Sequence, residues 1–373
     1  MNKYKVAIDT GPLTGGHSVR GIGFHTRKLI EEFEKRVSGE FEISAIDFKK
    51  KDLSKYDLVH YPSFNPFFPT LPDLYPTKAV VTIHDLIYLV FPQAYPPGIR
   101  GRVNFKKQKD AVRKASAVIT ISDTSKKDIV KYLDIDAKKV YVIPLAPARQ
   151  SIPVKDAKLL KKIKAKYNLP EKYVLYVGDV NYNKNIINLI KACKLVNLKL
   201  VIVGKQALDI EELGMSLKSI HGPQDWIRFL INKPHPELAH FGNLLKEFKD
   251  KSTIIRLGFI PDDDLKVVFN LAGVYCQPSL YEGFGLPVLE AMACGTPVVA
   301  SDISAHREIA GNNVMYVDPK SPEDISKGIK KMMDDNTIRD KFIKSGLERA
   351  KQYGWKKVAD GTLSVYEKII RFS

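Results

Sequence analysis

This 373-residue sequence has few cysteines and no long apolar run. Its three cysteines, Cys193, Cys276 and Cys294, lie far apart and lack the close pairing that metal knuckles and redox motifs use. We interpret them as reduced thiols of a cytosolic protein. No stretch reaches the ~20 apolar residues that a membrane span needs, and the N-terminus enters a strand-like segment without the apolar region of a signal peptide. We therefore expect a chain that is neither secreted nor integral to a membrane.

The composition is that of a globular protein with an excess of positive charge. Hydrophobic residues make up 44% of the chain and aromatic residues 10%, which excludes a dominant disordered segment. The net charge of +17 raises the question of an anionic partner: nucleic acid, a membrane surface or a phosphorylated substrate. Residues 1–150 hold 25 of the 59 basic and 16 of the 42 acidic residues, so the excess is spread along the chain.

The densest basic stretch, residues 100–114, has seven Lys or Arg side chains and one acid, Asp110. It follows an apolar, proline-punctuated segment at residues 64–72. An apolar loop beside a basic helix suggests a surface that sits on anionic lipid, which would place the protein at the inner face of a membrane. A solvated helix face and a proline-stiffened loop explain the same residues, and both interpretations stay open.

Short β-branched runs alternate with longer amphipathic stretches along the chain. Six such runs fall within residues 5–143 and six more within residues 173–317. This alternation is typical of a mostly parallel α/β sheet, and its occurrence in two sets predicts two such sheets. Between the two sets lie Pro147, Pro153 and a Lys-rich helical stretch, which we take as the connection between two domains.

The predicted fold is α/β, with two Rossmann-like, doubly wound domains that face a cleft. We assign residues 1–150 to the first domain and residues 151–354 to the second. The helical residues 355–373 could pack on either. Residues 205–250 are long for a connection between strands and could form an insertion of their own.

The richest segment, residues 278–297, reads Pro-Ser-Leu-Tyr-Glu-Gly-Phe-Gly-Leu-Pro-Val-Leu-Glu-Ala-Met-Ala-Cys-Gly-Thr-Pro. This pattern predicts a strand end, a glycine loop, a helix and a glycine stop. The N–H groups at a helix N-terminus suit a diphosphate, and a carboxylate can accept both hydroxyls of a vicinal diol. Glu290, inside the helix, therefore fits a ribose, and Glu282, in the loop, fits a hydroxyl of a sugar beyond the phosphates.

The Glu-x(7)-Glu spacing and its flanking strings, Glu-Gly-Phe-Gly-Leu-Pro and Glu-Ala-Met-Ala-Cys-Gly-Thr-Pro-Val-Val-Ala-Ser, resemble the retaining GT-B glycosyltransferases of glycosyltransferase family four. Matching stretches span nearly the whole chain. The resemblance implies transfer of a hexosyl unit from a nucleoside-diphosphate sugar, of the GDP-mannose or UDP-glucose type, to a hydroxyl of a growing glycan or lipid-linked saccharide. It also implies no metal and no other cofactor, because a lysine and a helix end take the place of a divalent ion.

The same resemblance implies three catalytic residues. His84, in Thr-Ile-His-Asp-Leu, would contact the transferred sugar, Lys184 would bind the diphosphate, and Glu282 would hold the sugar. Asp179 occupies a position where an arginine is common, so Lys184 would act alone or with Arg20. The implied donor-binding residues are Gly21, Gly23, Gly178, Phe284, Gly285, Leu286 and Glu290.

The sequence also permits three other interpretations, of an acidic run and of the function. The run Asp262-Asp263-Asp264 follows Pro261 and precedes an apolar helical pattern, so it predicts an N-cap and first turn rather than a metal site. A nucleotide-sugar hydrolase or epimerase would use the same pocket without an acceptor. A nucleic-acid-binding protein would suit the charge, but the sequence has no aromatic platform or recognised nucleic-acid motif, so we expect no nucleic-acid partner.

Overall fold

The computed structural model describes residues 3–14, 21–36, 40–147, 152–218 and 236–372. The chain divides into two compact units. The first comprises Met1–Pro92, Pro97–Ala146 and Tyr353–Ser373, and the second comprises Gln93–Pro96 and Pro147–Gln352. The break along the chain therefore falls after Ala146, a few residues before the position expected from the sequence. The short segment Gln93–Pro96 groups with the second unit.

The first unit is built on a parallel sheet. Its strands are β1 (Tyr4–Asp9), β2 (Phe41–Ile46), β3 (Leu58–Tyr61), β4 (Lys78–Ile83), β5 (Ala117–Thr120) and β6 (Val140–Val142), and the helices described before the break are α1 (Gly21–Glu34), α2 (Ile87–Val90), α3 (Ile99–Lys114) and α4 (Asp123–Leu133). The strand order is β2-β1-β3-β4-β5-β6. The core strands β3, β4 and β5 are buried almost throughout, as expected of a sheet with helices on both faces.

The second unit repeats this plan. Its strands are β7 (Tyr173–Val177), β8 (Lys199–Val203), β9 (Ile254–Gly258), β10 (Val274–Gln277), β11 (Val298–Ser301) and β12 (Met315–Val317). They form a sheet with the strand order β12-β11-β10-β7-β8-β9, again all parallel. Its described helices are α5 (Ala157–Lys166), α6 (Ile186–Leu195), α7 (Lys205–Lys218), α8 (Pro236–Phe248), α9 (Asp262–Leu271), α10 (Leu286–Ala293), α11 (Ser304–Ala310), α12 (Pro322–Asp334) and α13 (Asn336–Ala350). The predicted α/β fold of two doubly wound sheets is confirmed.

The last helix, α14 (Trp355–Phe372), packs on the first unit although it follows the second in the chain. Its apolar face packs in the same hydrophobic core as residues of β1, β3 and β4. A buried polar contact fixes the docking: the Tyr366 hydroxyl lies 2.6 Å from His60 Nδ1, and His60 Nε2 lies 2.7 Å from Thr82 Oγ1. Periodicity alone could not choose the partner of this helix, because it reports an apolar face and not what covers it.

One local expectation was wrong. Residues 205–250 do not form a separate insertion in their described parts, because α7 and α8 contribute Ala207 and Phe241 to the core of the second unit. Residues 221–226, in the middle of this stretch, lie outside the described residues. Gly21 and Gly23, two of the implied donor-binding residues, stand in the first turn of α1, since glycine also accepts helical dihedrals.

The acidic run also differs in detail from the prediction. Pro261 is the N-cap of α9, and all three aspartates lie in the first helical turn. There their charges complement the helix dipole. Asp264 accepts hydrogen bonds from Lys166 Nζ and from the Tyr167 hydroxyl, which ties α9 to the end of α5.

Gly204 provides a test of how the strand ends of the second unit pack. Its N–H donates to Gly258 O at 2.8 Å, and a Cβ at this position would lie 2.2 Å from Gly178 O, a backbone atom that cannot move aside. We expect Gly204→Ala to lower the free energy of unfolding by roughly 2–3 kcal/mol. Gly242→Ala is the matched control, because nothing lies within 4 Å of its Cβ and alanine favours a helix interior. Equal unfolding free energies of the two variants would contradict this packing.

Candidate functional site

The predicted glycine loop turns the chain from β10 into α10. Gly285 is the N-cap of α10 with a φ of 99°, a left-handed conformation that favours glycine. Pro287 stands in the first turn, and Gly295, with a φ of 73°, follows the end of the helix. The loop therefore places the N-terminus of α10 at the carboxyl end of β10, as the sequence pattern predicts.

This position is the topological switch point of the second sheet. The chain passes from β7 to β8 on one side of β7, while β10 pairs with the other side. Connections that leave neighbouring strands in opposite directions open a crevice at the strand carboxyl ends, where ligands bind in such sheets. The turn after β7 contains Lys184 and the loop after β10 contains Glu282, so the structure brings these two predicted residues together.

Glu282 is a buried carboxylate surrounded by hydrogen-bond donors. The residue as a whole is only 5% exposed. Lys184 Nζ lies 2.8 Å from both carboxylate oxygens, and Oε1 also accepts from Gln277 Nε2 at 2.8 Å and from Ser279 Oγ at 2.6 Å. A buried charge is stable only when paired and hydrogen-bonded, and this set of donors meets that requirement.

The surroundings of Glu282 keep it ionised. Burial by itself raises the pKa of this carboxyl, but the charge of Lys184 and the hydrogen bonds from Lys184 and Ser279 hold the pKa below its ordinary value of 4.5. The Lys184 side chain, 21% exposed against 6% for Glu282, is the part of the pair that reaches the surface of the unit. The site therefore presents the ammonium group of Lys184, which the buried carboxylate of Glu282 holds in place.

Asn183 couples the two loops that hold this pair. Its carbonyl accepts from Leu280 N at 2.7 Å, and its Nδ2 donates to Tyr281 O at 3.1 Å. Asn185, with a φ of 60°, donates from Nδ2 to Pro278 O at 2.9 Å. Amide side chains on both sides of Lys184 thus fasten the turn after β7 to the loop after β10.

Of the predicted donor-binding residues of the second unit, Phe284, Gly285, Leu286 and Glu290 lie in the glycine loop and α10, whereas Gly178 follows β7. Glu290 is buried within α10. Phe284 is 3% exposed, so its ring packs in the core while its backbone forms part of the loop. Leu286 is the first residue of α10. Gly178 follows β7 and donates its N–H to Val203 O at 2.9 Å. The backbone of Asp179 accepts from the Tyr176 hydroxyl.

The predicted residues of the first unit lie together as well. His84 follows β4, and its ring stands edge-on to that of His25 in α1, with ring centroids 5.0 Å apart. Both ring nitrogens of His84 are buried and make no hydrogen bond to the described residues. Desolvation lowers the pKa of His84 to about 4, so the ring is neutral near pH 7. Gly21 and Gly23 belong to the same helix as His25, and Arg20 lies outside the described residues.

Sequence reasoning missed Gln277, Ser279 and Asn183. The first two flank Pro278, and a buried glutamine at the end of an apolar strand is a usable signal because polar side chains seldom point into a core without a partner. Asn183 gave no such signal, because an asparagine beside a lysine suits any exposed turn. Within the described part of the chain, no group of His, Cys, Asp and Glu is arranged to hold a metal ion. The absence of a metal cofactor stays a prediction.

The chain is similar to known proteins along most of its length. O-antigen chain mannosyltransferase B of Escherichia coli is 29% identical over 298 residues, which cover 78% of this chain and 70% of that protein. Three longer relatives are matched over about a third of their length. Among solved structures, sucrose-phosphate synthase from Thermosynechococcus elongatus matches with a TM-score of 0.72 at 20% identity over 100% of both chains. Anabaena HepE in complex with UDP and glucose matches with a TM-score of 0.65 at 15% identity, covering 98% of this chain and 100% of that one.

The two parallel doubly wound sheets match the GT-B fold, and the family models that match both halves of the chain identify it as a glycosyltransferase. The chain belongs to the family of glycosyl transferases group 1, whose model matches residues 160–349, and the Glycosyltransferase Family 4 model matches residues 17–146. Among the described residues, no helix is long and apolar enough to cross a membrane.

Removing Lys184 tests the buried pair. We expect Lys184→Met to lower the free energy of unfolding at neutral pH by roughly 2 kcal/mol, less than the 3–5 of a fully buried pair because Lys184 is partly exposed. The lowered pKa of Glu282 contributes stability above about pH 4.5 that is lost as pH falls through its folded value. Denaturant unfolding at neutral and acidic pH should therefore show a difference from wild type that shrinks in acid.

Lys194→Met is the control for this measurement. Lys194 lies at the same 2.8 Å from a carboxylate, that of Glu247, but both side chains are more exposed. We expect a change of at most about 1 kcal/mol. A loss in Lys184→Met that is no larger than the loss in the control would contradict the role of Lys184 as the anchor of a buried charge.

Proposed function

We propose that this glycosyltransferase moves a hexosyl unit, with retention at the anomeric carbon, from a nucleoside-diphosphate sugar to a hydroxyl of a growing glycan or lipid-linked saccharide. The observation on which this rests most is the Lys184–Glu282 pair at the switch point, beside the N-terminus of α10. The mannosyl specificity of O-antigen chain mannosyltransferase B favours mannose as the sugar. The complex of HepE with UDP and glucose supports a nucleoside diphosphate as the leaving group.

The site suits the departure of a diphosphate. When the bond between the anomeric carbon and the phosphate oxygen breaks, negative charge grows on the leaving group and positive charge on the sugar. Lys184 and the N–H groups at Gly285 and Leu286 would stabilise the leaving group electrostatically, without a metal. The cation is already oriented by Glu282, so little reorganisation accompanies the reaction.

The proposed step needs no covalent intermediate on the protein. The acceptor oxygen forms the new bond on the face that the diphosphate leaves, and the acceptor proton passes to the leaving phosphate oxygen. His84 is proposed to contact the transferred sugar, because its two buried ring nitrogens make no hydrogen bond within the described residues. Glu290 is proposed to bind the ribose.

The direct test is a donor screen followed by a transfer assay. Thermal unfolding with GDP-, UDP- and ADP-sugars should single out one donor, because a ligand that binds only the folded state stabilises it by about 2.7 kcal/mol at a hundredfold excess over Kd. The selected donor should then be consumed only with a saccharide acceptor, and the product should keep the anomeric configuration by NMR. Equal consumption without acceptor would favour a hydrolase or epimerase.

The same assay tests the Glu282 carboxylate. In Glu282→Gln an amide N–H faces Lys184, while Ser279 and Gln277 still have an oxygen to bond. We expect kcat to fall roughly a hundredfold or more, with donor Kd less affected. Glu247→Gln, which alters a surface ion pair, is the control. Comparable turnover in Glu282→Gln and wild type would refute the catalytic assignment.

We also propose that one surface of the first unit faces an anionic membrane. Asn104 Nδ2 donates to Phe67 O at 3.0 Å, and the buried Gln108 bonds the backbone of Thr70 and Leu71, so the apolar loop is fastened to the basic helix α3. Several apolar and basic side chains of this surface are exposed: Phe68, Ile99, Arg100, Arg102, Val103, Lys106 and Lys107. A lipid-linked acceptor held at such a membrane is therefore part of the proposal.

Vesicle binding tests this surface. Each basic side chain near an anionic bilayer contributes about 1 kcal/mol, so replacing Arg102, Lys106 and Lys107 by alanine should weaken binding to phosphatidylglycerol vesicles by about two orders of magnitude. Alanine at the exposed Lys158, Lys161 and Lys162 of α5 is the matched control. Co-sedimentation that is unchanged in the α3 variant would count against a membrane-facing surface.

A further inference from the structure

His306 is a fully buried residue of the second unit to which the sequence motifs assign no role. It is the third residue of α11, directly after β11, and its side chain is 0% exposed. Its Nδ1 lies 3.0 Å from Ser301 O and 3.1 Å from Ser301 Oγ. Its Nε2 is buried and makes no hydrogen bond to any described residue. A buried ring nitrogen without a partner is uncommon, because an unsatisfied polar atom costs about 1–3 kcal/mol.

The neighbouring hydrogen bonds determine which ring nitrogen holds the proton. The Ser301 hydroxyl has a single hydrogen, and it donates to Ser279 O at 2.6 Å. Ser301 O and Ser301 Oγ can therefore only accept from His306, so the proton is on Nδ1. Burial lowers the pKa of His306 below its ordinary value of 6.5, against the opposing charge of Glu282, so the ring is neutral. Nε2 is then a lone-pair acceptor.

This acceptor faces the glycine loop. A Cβ added to Gly285 would lie 2.9 Å from His306 Cδ2 and 3.2 Å from Nε2, so the unpartnered edge of the ring lies against the N-cap of α10. The same network reaches the buried carboxylate, because Ser279, which accepts from Ser301, donates its hydroxyl to Glu282. His306 therefore belongs to the site and not to the remote core.

The chemistry of a lone-pair acceptor excludes one partner and selects another. An ionised diphosphate offers only acceptors, so it makes no hydrogen bond to a neutral Nε2. A hydroxyl offers a donor. In a nucleoside-diphosphate sugar the hydroxyls are on the ribose and on the transferred sugar, and the connection through Ser279 to Glu282 favours the sugar end.

We propose that His306 Nε2 accepts a hydrogen bond from a hydroxyl of the transferred sugar and thereby helps to select that sugar. This inference rests on the proposed function, since it requires a nucleotide-sugar donor. His306 follows β11, so it adds a residue from a third strand end to the site residues that follow β7 and β10. Gly285 is required at the N-cap partly because any side chain there would displace this ring.

Two substitutions test the roles of the two His306 ring nitrogens separately. In His306→Asn the amide nitrogen replaces Nδ1 and still donates to Ser301 O, while the acceptor at the Nε2 position is lost. In His306→Gln the amide oxygen replaces Nε2, while the bond to Ser301 is lost. We expect His306→Asn to raise Kd for the donor nucleotide-sugar about tenfold and to leave Kd for the nucleoside diphosphate within about twofold of wild type. His306→Gln should retain donor affinity, even with a lower Tm.

Calorimetric titration with the donor, with the nucleoside diphosphate alone and with monodeoxy donors decides between the outcomes. One monodeoxy donor should bind wild type and His306→Asn equally, which identifies the contacted hydroxyl. Equal weakening for the nucleoside diphosphate and the donor would overturn the assignment to the sugar. Unchanged donor affinity in His306→Asn would overturn the inference while leaving the proposed function intact. A wild-type enzyme that binds no nucleotide-sugar would overturn both.

Discussion

The buried carboxylate of Glu282 imposes the strongest constraint on this site. An ionised group that is 5% exposed must be surrounded by donors, and these come from three separate places: a lysine after β7, a glutamine at the end of β10 and a serine in the following loop. Each donor is therefore held at one position by the same acceptor. The cation, the glycine loop and the start of α10 owe their mutual placement to this requirement.

The same constraint extends to residues that do not touch the carboxylate. Asn183 and Asn185 tie the turn around Lys184 to the loop after β10 through hydrogen bonds with the backbone of that loop, and Ser301 connects the loop to His306. All of these residues lie at or just beyond the carboxyl ends of β7, β10 and β11. A parallel sheet delivers these ends to one edge, which is why polar residues distant in sequence meet there. The network is rigid because nearly every polar atom in it has a defined partner.

Much of the fold and part of the site could be predicted from the sequence. The twelve strands among the described residues follow from short β-branched runs. The Gly285 turn and the Gly295 stop follow from glycines, because few other residues adopt the left-handed backbone conformation found there. From the sequence, Lys184 and Glu282 could be predicted only to contact the same ligand, not to contact each other. The direct ion pair and its further donors depend on how close β7 and β10 lie, which periodicity does not report.

The sequence by itself determined the two α/β sheets, the glycine loop ahead of α10 and the candidate residues in it, because these depend on local propensity and spacing. The tertiary structure alone decided that α14 packs on the first unit, that α7 and α8 join the core of the second, and that the unpartnered edge of His306 faces Gly285. These outcomes depend on contacts between residues far apart along the chain. Such contacts are selected by the burial of apolar faces and the pairing of buried polar atoms, and neither is encoded in a short stretch of sequence.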